Sequence, residues 1–281
     1  MADNSSVEFD HCRDLALVPG SVFEFTSRYL SVGKLEPLLA LYALRQAIST
    51  IPHGSSDDSV KWTKLKWWSE ELIAAPDAAL RHPVLRALWQ TGAREQLANP
   101  LLLRMVGDAL SEIDVVPDGN ENDLFERQAA LGATDILLEL ALENAEIDEQ
   151  SMDYLGAATG SFRLISRFSA GQVSEAARLP LSLLAKYNVS TQQLEQKTHT
   201  AELAQIIEQL AEYALDWYSK GLSSLKSGSK PGAFTHLQLR WAMESRRLTA
   251  IRKDANGFLQ SGKSFGPADA WFAWRFLRKL G

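Results

Sequence analysis

Residues 21–49 read SVFEFTSRYLSVGKLEPLLALYALRQAIS, and the fold class can be inferred from this stretch. Good helix formers outnumber β-branched residues in its second half, and apolar side chains recur there at helical spacing. The residues on neighbouring positions of this helix are Leu38, Leu41, Tyr42, Arg45, Ile48 and Ser49. The stretch therefore predicts a long helix with one face in a protein core.

The same periodicity continues along the rest of the chain. It predicts long helices over residues 124–141, 201–225 and 234–258, and we find no convincing period-two alternation of the kind that predicts a sheet. The most linker-like stretch, KSGSKPG at 226–232, is short enough to join two helices of one domain. The sequence predicts an all-α protein with a single domain over residues 1–281.

Composition limits the classes of function. The chain has 281 residues, 46% of them hydrophobic, and a net charge of -6, which disfavours a general role in binding nucleic acid. Its one cysteine, Cys12, rules out an intrachain disulfide and fits a reducing compartment. No apolar stretch approaches the roughly 18 residues needed to span a bilayer, and the N-terminal residues lack a signal pattern. We expect a cytoplasmic protein.

Three segments, taken in order, resemble those of the squalene/phytoene synthases, which join two isoprenoid diphosphates head to head. Residues 21–44 resemble the opening helix pair of that family and its ALYAF run. KWWSEEL at 66–72 is followed at a typical distance by HPV at 82–84, and LGAATG at 155–160 leads to LPLSLL at 179–184. The resemblance implies the isoprenoid-synthase fold, a helical bundle around a central cavity.

The resemblance also locates the two acidic motifs with which family enzymes hold magnesium ions against the diphosphate leaving group. Serine, threonine and histidine stand in place of the acids of the first motif, in the stretch ISTIPH at 48–53. In the second motif, Arg167 and Gly171 stand at the acidic positions and Arg163 at a polar one. Arg178 replaces the tyrosine-bearing element before Leu179-Pro180.

These replacements leave three functions open. Arginine cannot ligate Mg²⁺, so we expect no metal and no cofactor unless synthase activity is retained. The run GSFRLISRF and the ending WFAWR at 271–275 resemble a branch of the family that lacks the acids, the mitochondrial complex I assembly factors. That likeness implies a non-catalytic assembly or scaffolding factor with a protein partner. The alternatives are an isoprenoid synthase (a prenyltransferase) with an atypical site, and a protein that binds a lipid or prenyl diphosphate without turnover.

A candidate anion pocket follows from helical spacing. Gly156, Gly160, Arg163 and Arg167 share one helical face, on which the glycines would admit a close neighbouring helix. The hypothesis is a metal-free pocket whose arginines clamp a phosphate or carboxylate group. Its candidate residues are Arg45, Ser49, His53, Arg163 and Arg167. The alternative is that Arg163 and Arg167 form structural ion pairs with glutamates of neighbouring helices.

Several other residues have simpler interpretations. The adjacent Asp57 and Asp58 are expected to cap a helix rather than to bind a metal. The five histidines show no metal-ligand spacing, and each is expected to be a cap or a surface residue. Core packing is expected for four tryptophans: Trp62, Trp67, Trp68 and Trp89.

The C-terminal segment 270–280, AWFAWRFLRKL, mixes aromatic and basic residues. On a helix, one of its faces carries Phe272, Phe276 and Leu280 and can close the bundle. The other face suits membrane headgroups or a protein partner, and it predicts peripheral contact at the inner membrane. That face carries Trp271, Trp274, Arg275 and Arg278.

Overall fold

The computed structural model describes residues 3–54, 57–74, 80–114, 116–169, 178–195, 201–225, 234–262 and 265–280. In these ranges every regular element is a helix, so the all-α prediction is confirmed. No helix of the described residues is long and apolar enough to cross a membrane.

The chain forms two compact units. Unit 1 comprises Met1–Asp114 and Leu137–Glu146, and unit 2 comprises Val115–Ile136 and Ile147–Gly281. One helix, α7 (Glu121–Glu143), contributes residues to both units. Whether the units are one domain is not tested by this division, and the single domain stays a prediction.

Unit 1 is built around α3. Its helices are α1 (Asp3–Ala16), α2 (Val22–Thr26), α3 (Val32–Ser49), α4 (Asp58–Ala74), α5 (Pro83–Gln90), α6 (Asn99–Ser111) and the end of α7. Leu38, Leu41 and Ile48 of α3 are buried in a core formed with α1, α5 and α6, as their spacing predicts.

Unit 2 is built around the long helices α8 and α11, which pack against each other. Besides the first part of α7, its helices are α8 (Glu149–Ser169), α9 (Leu181–Lys186), α10 (Thr191–Glu195), α11 (Ala201–Leu225), α12 (Thr235–Lys253), α13 (Ala255–Ser261) and α14 (Pro267–Leu280). Helix α11 packs against both α8 and α12, and α14 packs against α12.

Glycines bring the backbones of α7 and α8 into direct contact within unit 2. A Cβ atom placed on Gly132 would lie 2.0 Å from the backbone oxygen of Gly156. A Cβ on Gly156 would lie 2.7 Å from the backbone oxygen of Ala129, and one on Gly160 would lie 2.5 Å from that of Gln128. These distances are too short for any side chain, so the expected close neighbour of Gly156 and Gly160 is α7.

Polar side chains begin two helices of unit 1 as expected. Asp57 precedes α4 and accepts a hydrogen bond from the backbone N–H of Ser59, at 2.8 Å. His82 is the N-cap of α5, where its Nδ1 accepts from the N–H of Val84, and Pro83 occupies the first helical position. Both caps satisfy an N–H that the helix itself leaves without a partner.

The helix predicted over residues 234–258 is wrong in one respect, because it is two helices. Asp254 leaves the helical conformation with φ -154° and ψ 69°, and its carboxylate accepts from the N–H of Gly257. An aspartate that caps a new helix competes with continuation of the old one.

Burial also corrects three expectations about aromatic side chains. Trp62 lies on the surface of α4, 45% exposed, instead of in the core. The His53 side chain is only 4% exposed and His236 is buried, although both residues were expected to be caps or surface residues. His199 lies outside the described residues.

The contact between α7 and α8 can be tested with a pair of alanine variants. Gly132→Ala is expected to lower the free energy of unfolding by about 2–3 kcal/mol, because its methyl group overlaps backbone atoms. The matched control is Gly107→Ala, on the exposed side of α6 with no atom within 4 Å of the added Cβ. This control should raise stability by about 0.5–1 kcal/mol through helix propensity. Urea unfolding followed by circular dichroism measures both, and equal effects would contradict the backbone contact.

Candidate functional site

In unit 1, Arg45 forms a partly buried ion pair with the end of α7. Its Nη1 lies 3.3 Å from Oε1 of Glu139, and its guanidinium lies 4.5 Å from the ring centre of Tyr42. The hydroxyl of Tyr42 donates to the same Glu139 oxygen at 2.7 Å. The Glu139 side chain is 1% exposed, so its charge depends on these donors for stabilisation.

Ser49 and His53 follow Arg45 at the end of α3. Ser49 is the last residue of the helix and is half-buried, one turn after Arg45. The imidazole of His53 lies in the turn beyond, where its Nε2 is 3.4 Å from Oε2 of Glu112 at the end of α6. Both of these side chains are more than nine-tenths buried.

In unit 2, Arg163 projects from α8 toward α7. Its Nη1 donates to Oδ2 of Asp135 at 3.1 Å, and Asp135 is buried. Arg167 lies one turn further along α8 and is half-buried. Gly171, which the resemblance places at the other acidic position of the motif, lies outside the described residues.

The predicted anion pocket therefore has residues in both units. Arg45, Ser49 and His53 belong to unit 1, and Arg163 and Arg167 belong to unit 2. Arg163 has the interhelical ion pair of the alternative interpretation, although its partner is an aspartate rather than a glutamate. The pair does not test anion binding, and the pocket stays a prediction.

Sequence reasoning missed a buried polar chain in unit 2. The hydroxyl of Tyr218 on α11 donates to the carboxylate of Glu244 on α12, and Thr159 on α8 lies 3.3 Å from the same hydroxyl. Arg240, one turn before Glu244, places its Nε 3.5 Å from that carboxylate. All four residues are buried, and burial followed by the Glu244 charge raises the pKa of Tyr218 well above its usual range. The only signal in the sequence is the Arg240–Glu244 spacing, which is also common on helix surfaces.

In unit 1, the Glu71 side chain connects the KWWSEEL segment to the start of the HPV segment through hydrogen bonds. It lies in KWWSEEL and accepts hydrogen bonds from the backbone N–H groups of Arg81, at 2.6 Å, and His82, at 3.2 Å. The Arg81 guanidinium adds a third bond at 2.7 Å. Burial acts to raise the pKa of Glu71, but these donors outweigh it and lower the pKa. The spacing of KWWSEEL and HPV thus serves to hold the start of α5 in place.

Among the described residues, no three His, Cys, Asp or Glu side chains come together in an arrangement that could hold a metal ion.

A family model described as squalene/phytoene synthase matches residues 19–265. The chain belongs to the squalene/phytoene synthase family. The family expected from the three sequence segments is thereby confirmed.

Solved structures of synthases share the fold of this family member. The crystal structure of squalene synthase HpnC from Alicyclobacillus acidocaldarius is 17% identical, with a TM-score of 0.67 over 89% of this chain and 94% of that one. A dehydrosqualene synthase in complex with a ligand is 16% identical, with a TM-score of 0.69 over 98% of this chain and 96% of that one. No curated protein is significantly similar to this family member.

A double-mutant cycle tests whether Arg45 has a structural role. Arg45→Met should lower the free energy of unfolding by about 3 kcal/mol, because it removes a positive charge from the buried Glu139. Adding Glu139→Gln should bring stability back to within about 1 kcal/mol of the wild type, since the amide still accepts from Tyr42 and carries no charge. Urea unfolding of the four proteins gives the coupling. A double variant as unstable as Arg45→Met would contradict the pair.

The cap at His82 predicts a dependence of stability on pH. Burial and the nearby charges of His11 and Arg86 lower the pKa of His82, against the opposing effect of Glu71. The folded protein then binds fewer protons than the unfolded chain below the ordinary histidine pKa of about 6.5. The contribution of His82 to stability is thus fully present above that pH and is lost as the pH falls toward the lowered value.

His82→Asn is the matched variant, because asparagine also caps helices but does not titrate. Urea midpoints at pH 7.5 and 5.5 should fall less in this variant than in the wild type. Equal losses in the two proteins would show that His82 does not account for the change.

Proposed function

We propose that this chain is a non-catalytic member of its family that acts in assembly or scaffolding. The observation that carries the proposal is the ion pair of Arg163 with Asp135, at a position that corresponds to the second acidic motif of the synthases. The resemblance implies that a synthase has carboxylates at positions 167 and 171 to hold magnesium. This chain has a guanidinium group at 167, and a second one at 163, a polar position of the motif.

The side chains at the motif positions do not fit magnesium. Mg²⁺ takes hard oxygen ligands, preferably charged ones, and a guanidinium offers only N–H donors. Two carboxylates close to these positions already have partners: Glu112 lies 3.4 Å from His53 in unit 1, and Asp135 accepts a hydrogen bond from Arg163 in unit 2. A divalent cation beside Arg163 and Arg167 would also be repelled strongly at low dielectric.

Without that cation, ionisation of a prenyl diphosphate loses its largest source of stabilisation. The departing diphosphate carries several negative charges, and metal ions supply most of the compensation in enzymes of this kind. Hydrogen bonds from arginines could bind the diphosphate in its ground state. Binding substrate and transition state equally well does not accelerate the reaction.

The resemblance of GSFRLISRF and WFAWR to the complex I assembly branch supports the assembly role. In that interpretation the functional surface is external, and the partner is a protein of a membrane complex under assembly. A shared fold is a weak warrant for a shared activity, so the family name alone does not favour turnover.

A second candidate is a protein that binds a prenyl diphosphate or lipid without turnover. The cationic side chains at 45, 163 and 167 favour it, because guanidinium groups form bidentate contacts with phosphate. In this case the loss of the acids would have changed an enzyme into a binding protein.

Turnover of farnesyl diphosphate with and without Mg²⁺ tests the proposal. We expect pyrophosphate release at the level of the protein-free blank, while an active family member assayed in parallel releases it. Magnesium-dependent release above the blank would overturn the proposal. In that event Arg163→Ala should alter the rate, which would place the activity at the motif positions rather than in a contaminant.

Mass spectrometry of material extracted from the purified protein separates the two candidates. An empty protein favours the assembly role, and a bound isoprenoid without turnover favours the binding protein. The control is the same extraction from Arg163→Ala, which should hold less ligand if the anion pocket exists.

A further inference from the structure

Helix α14 has an inner face that is fastened to α12 within unit 2. Asp269 accepts a hydrogen bond from Nε of Arg246 at 2.6 Å, and the Arg246 guanidinium lies 5.0 Å from the ring centre of Phe272. Phe272 stacks on Phe276 with 6.2 Å between ring centres, and Ala273 is fully buried. These contacts determine which side of the helix faces outward.

The outer face consists of tryptophans and basic residues. Trp271 and Trp274 are 58% and 51% exposed. The guanidinium of Arg275 lies 5.3 Å from the ring centre of Trp271, and that of Arg278 lies 4.8 Å from the ring centre of Trp274. Each pair is four residues apart, so aromatic and cationic groups are held together in one line along the helix.

The charge of this face is opposite to that of the chain. The whole protein carries -6, whereas Arg275, Arg278 and Lys279 are all exposed and positive. The one acidic residue of the helix, Asp269, forms an ion pair with Arg246 of α12. In the part of the chain that the structure describes, no carboxylate forms an ion pair with the three exposed cations.

We propose that the outer face of α14 docks on a bilayer surface that contains anionic lipids. Indole rings favour the headgroup region, and arginine and lysine beside them bind lipid phosphates. The helix would lie along the surface, with its inner face still packed on α12. Tryptophan and arginine also occur in protein interfaces, whereas lysine is depleted there. We favour a lipid surface because the three exposed charges beside the tryptophans are all positive and one of them is Lys279. This inference does not depend on whether the protein has catalytic activity.

Vesicle flotation of the full-length protein tests the proposal. Vesicles of phosphatidylcholine with 30% phosphatidylglycerol, a composition that we choose as a probe, should carry the protein upward, and pure phosphatidylcholine should carry much less. Raising the salt concentration should weaken partitioning, because the phosphate contacts are exposed and screened. Tryptophan emission should shift to shorter wavelength as the indoles leave water.

Two double variants separate the contributions of the face. Each basic residue near an anionic surface contributes about fivefold in partitioning, so Arg275→Gln with Arg278→Gln should lower it by about 25-fold. Trp271→Ala with Trp274→Ala should lower it by at least about tenfold and abolish the emission shift. The matched control is Trp62→Ala, which removes an exposed tryptophan elsewhere and should bind like the wild type.

Several results would overturn the proposal. Three of them concern the vesicle assay: no flotation at low salt, equal flotation on neutral and anionic vesicles, and equal losses in the control and the α14 variants. Another is self-association that is lost when both tryptophans are replaced, together with no binding to vesicles. The last result would assign the face to a second copy of the chain. Capture of an acidic protein by the same face, without vesicle binding, would assign it to a protein partner. Circular dichroism of each variant confirms that α14 has not unfolded.

Discussion

The backbone contact between α7 and α8 is the constraint on which the interior of unit 2 depends. Because no side chain fits at Gly132, Gly156 or Gly160, the close approach of the two helices requires their glycine faces to be turned toward each other. That orientation directs Arg163, one turn beyond Gly160, against Asp135, one turn beyond Gly132. It also leaves Thr159 on the side of α8 that faces Tyr218 of α11. The three glycines therefore position both the Arg163–Asp135 pair and the contact between Thr159 and Tyr218.

Buried charges in this chain are compensated by other side chains. Glu139, Asp135 and Glu244 are nearly inaccessible to water, and each accepts from an arginine, a tyrosine or both. Such pairs add little stability relative to apolar packing, but removal of one partner is destabilising because an uncompensated charge remains. The charge of Arg163 on α8 is thus compensated by a carboxylate, Asp135, on the facing helix α7.

Local signals in the sequence predicted the helices and their starts well. The apolar spacing of α3, the proline after His82 and the aspartate before α4 each act within one or two helical turns. The break at Asp254 was missed because aspartate is tolerated in a helix and reveals its capping role only when the following N–H groups are free. The surface position of Trp62 could not be predicted, since it depends on which side of α4 meets α6.

The candidate site was less predictable for a physical reason. Spacing on one helix shows that Arg163 and Arg167 share a face, but it does not show that Asp135 lies opposite. In the same way, nothing close to His53 in sequence indicates Glu112 as its partner.

The division of α7 between the two units constrains the order in which the chain can fold during its synthesis. Unit 1 needs residues 137–146 but is interrupted by a segment of unit 2, so a ribosome must translate past residue 146 before the N-terminal unit can be completed.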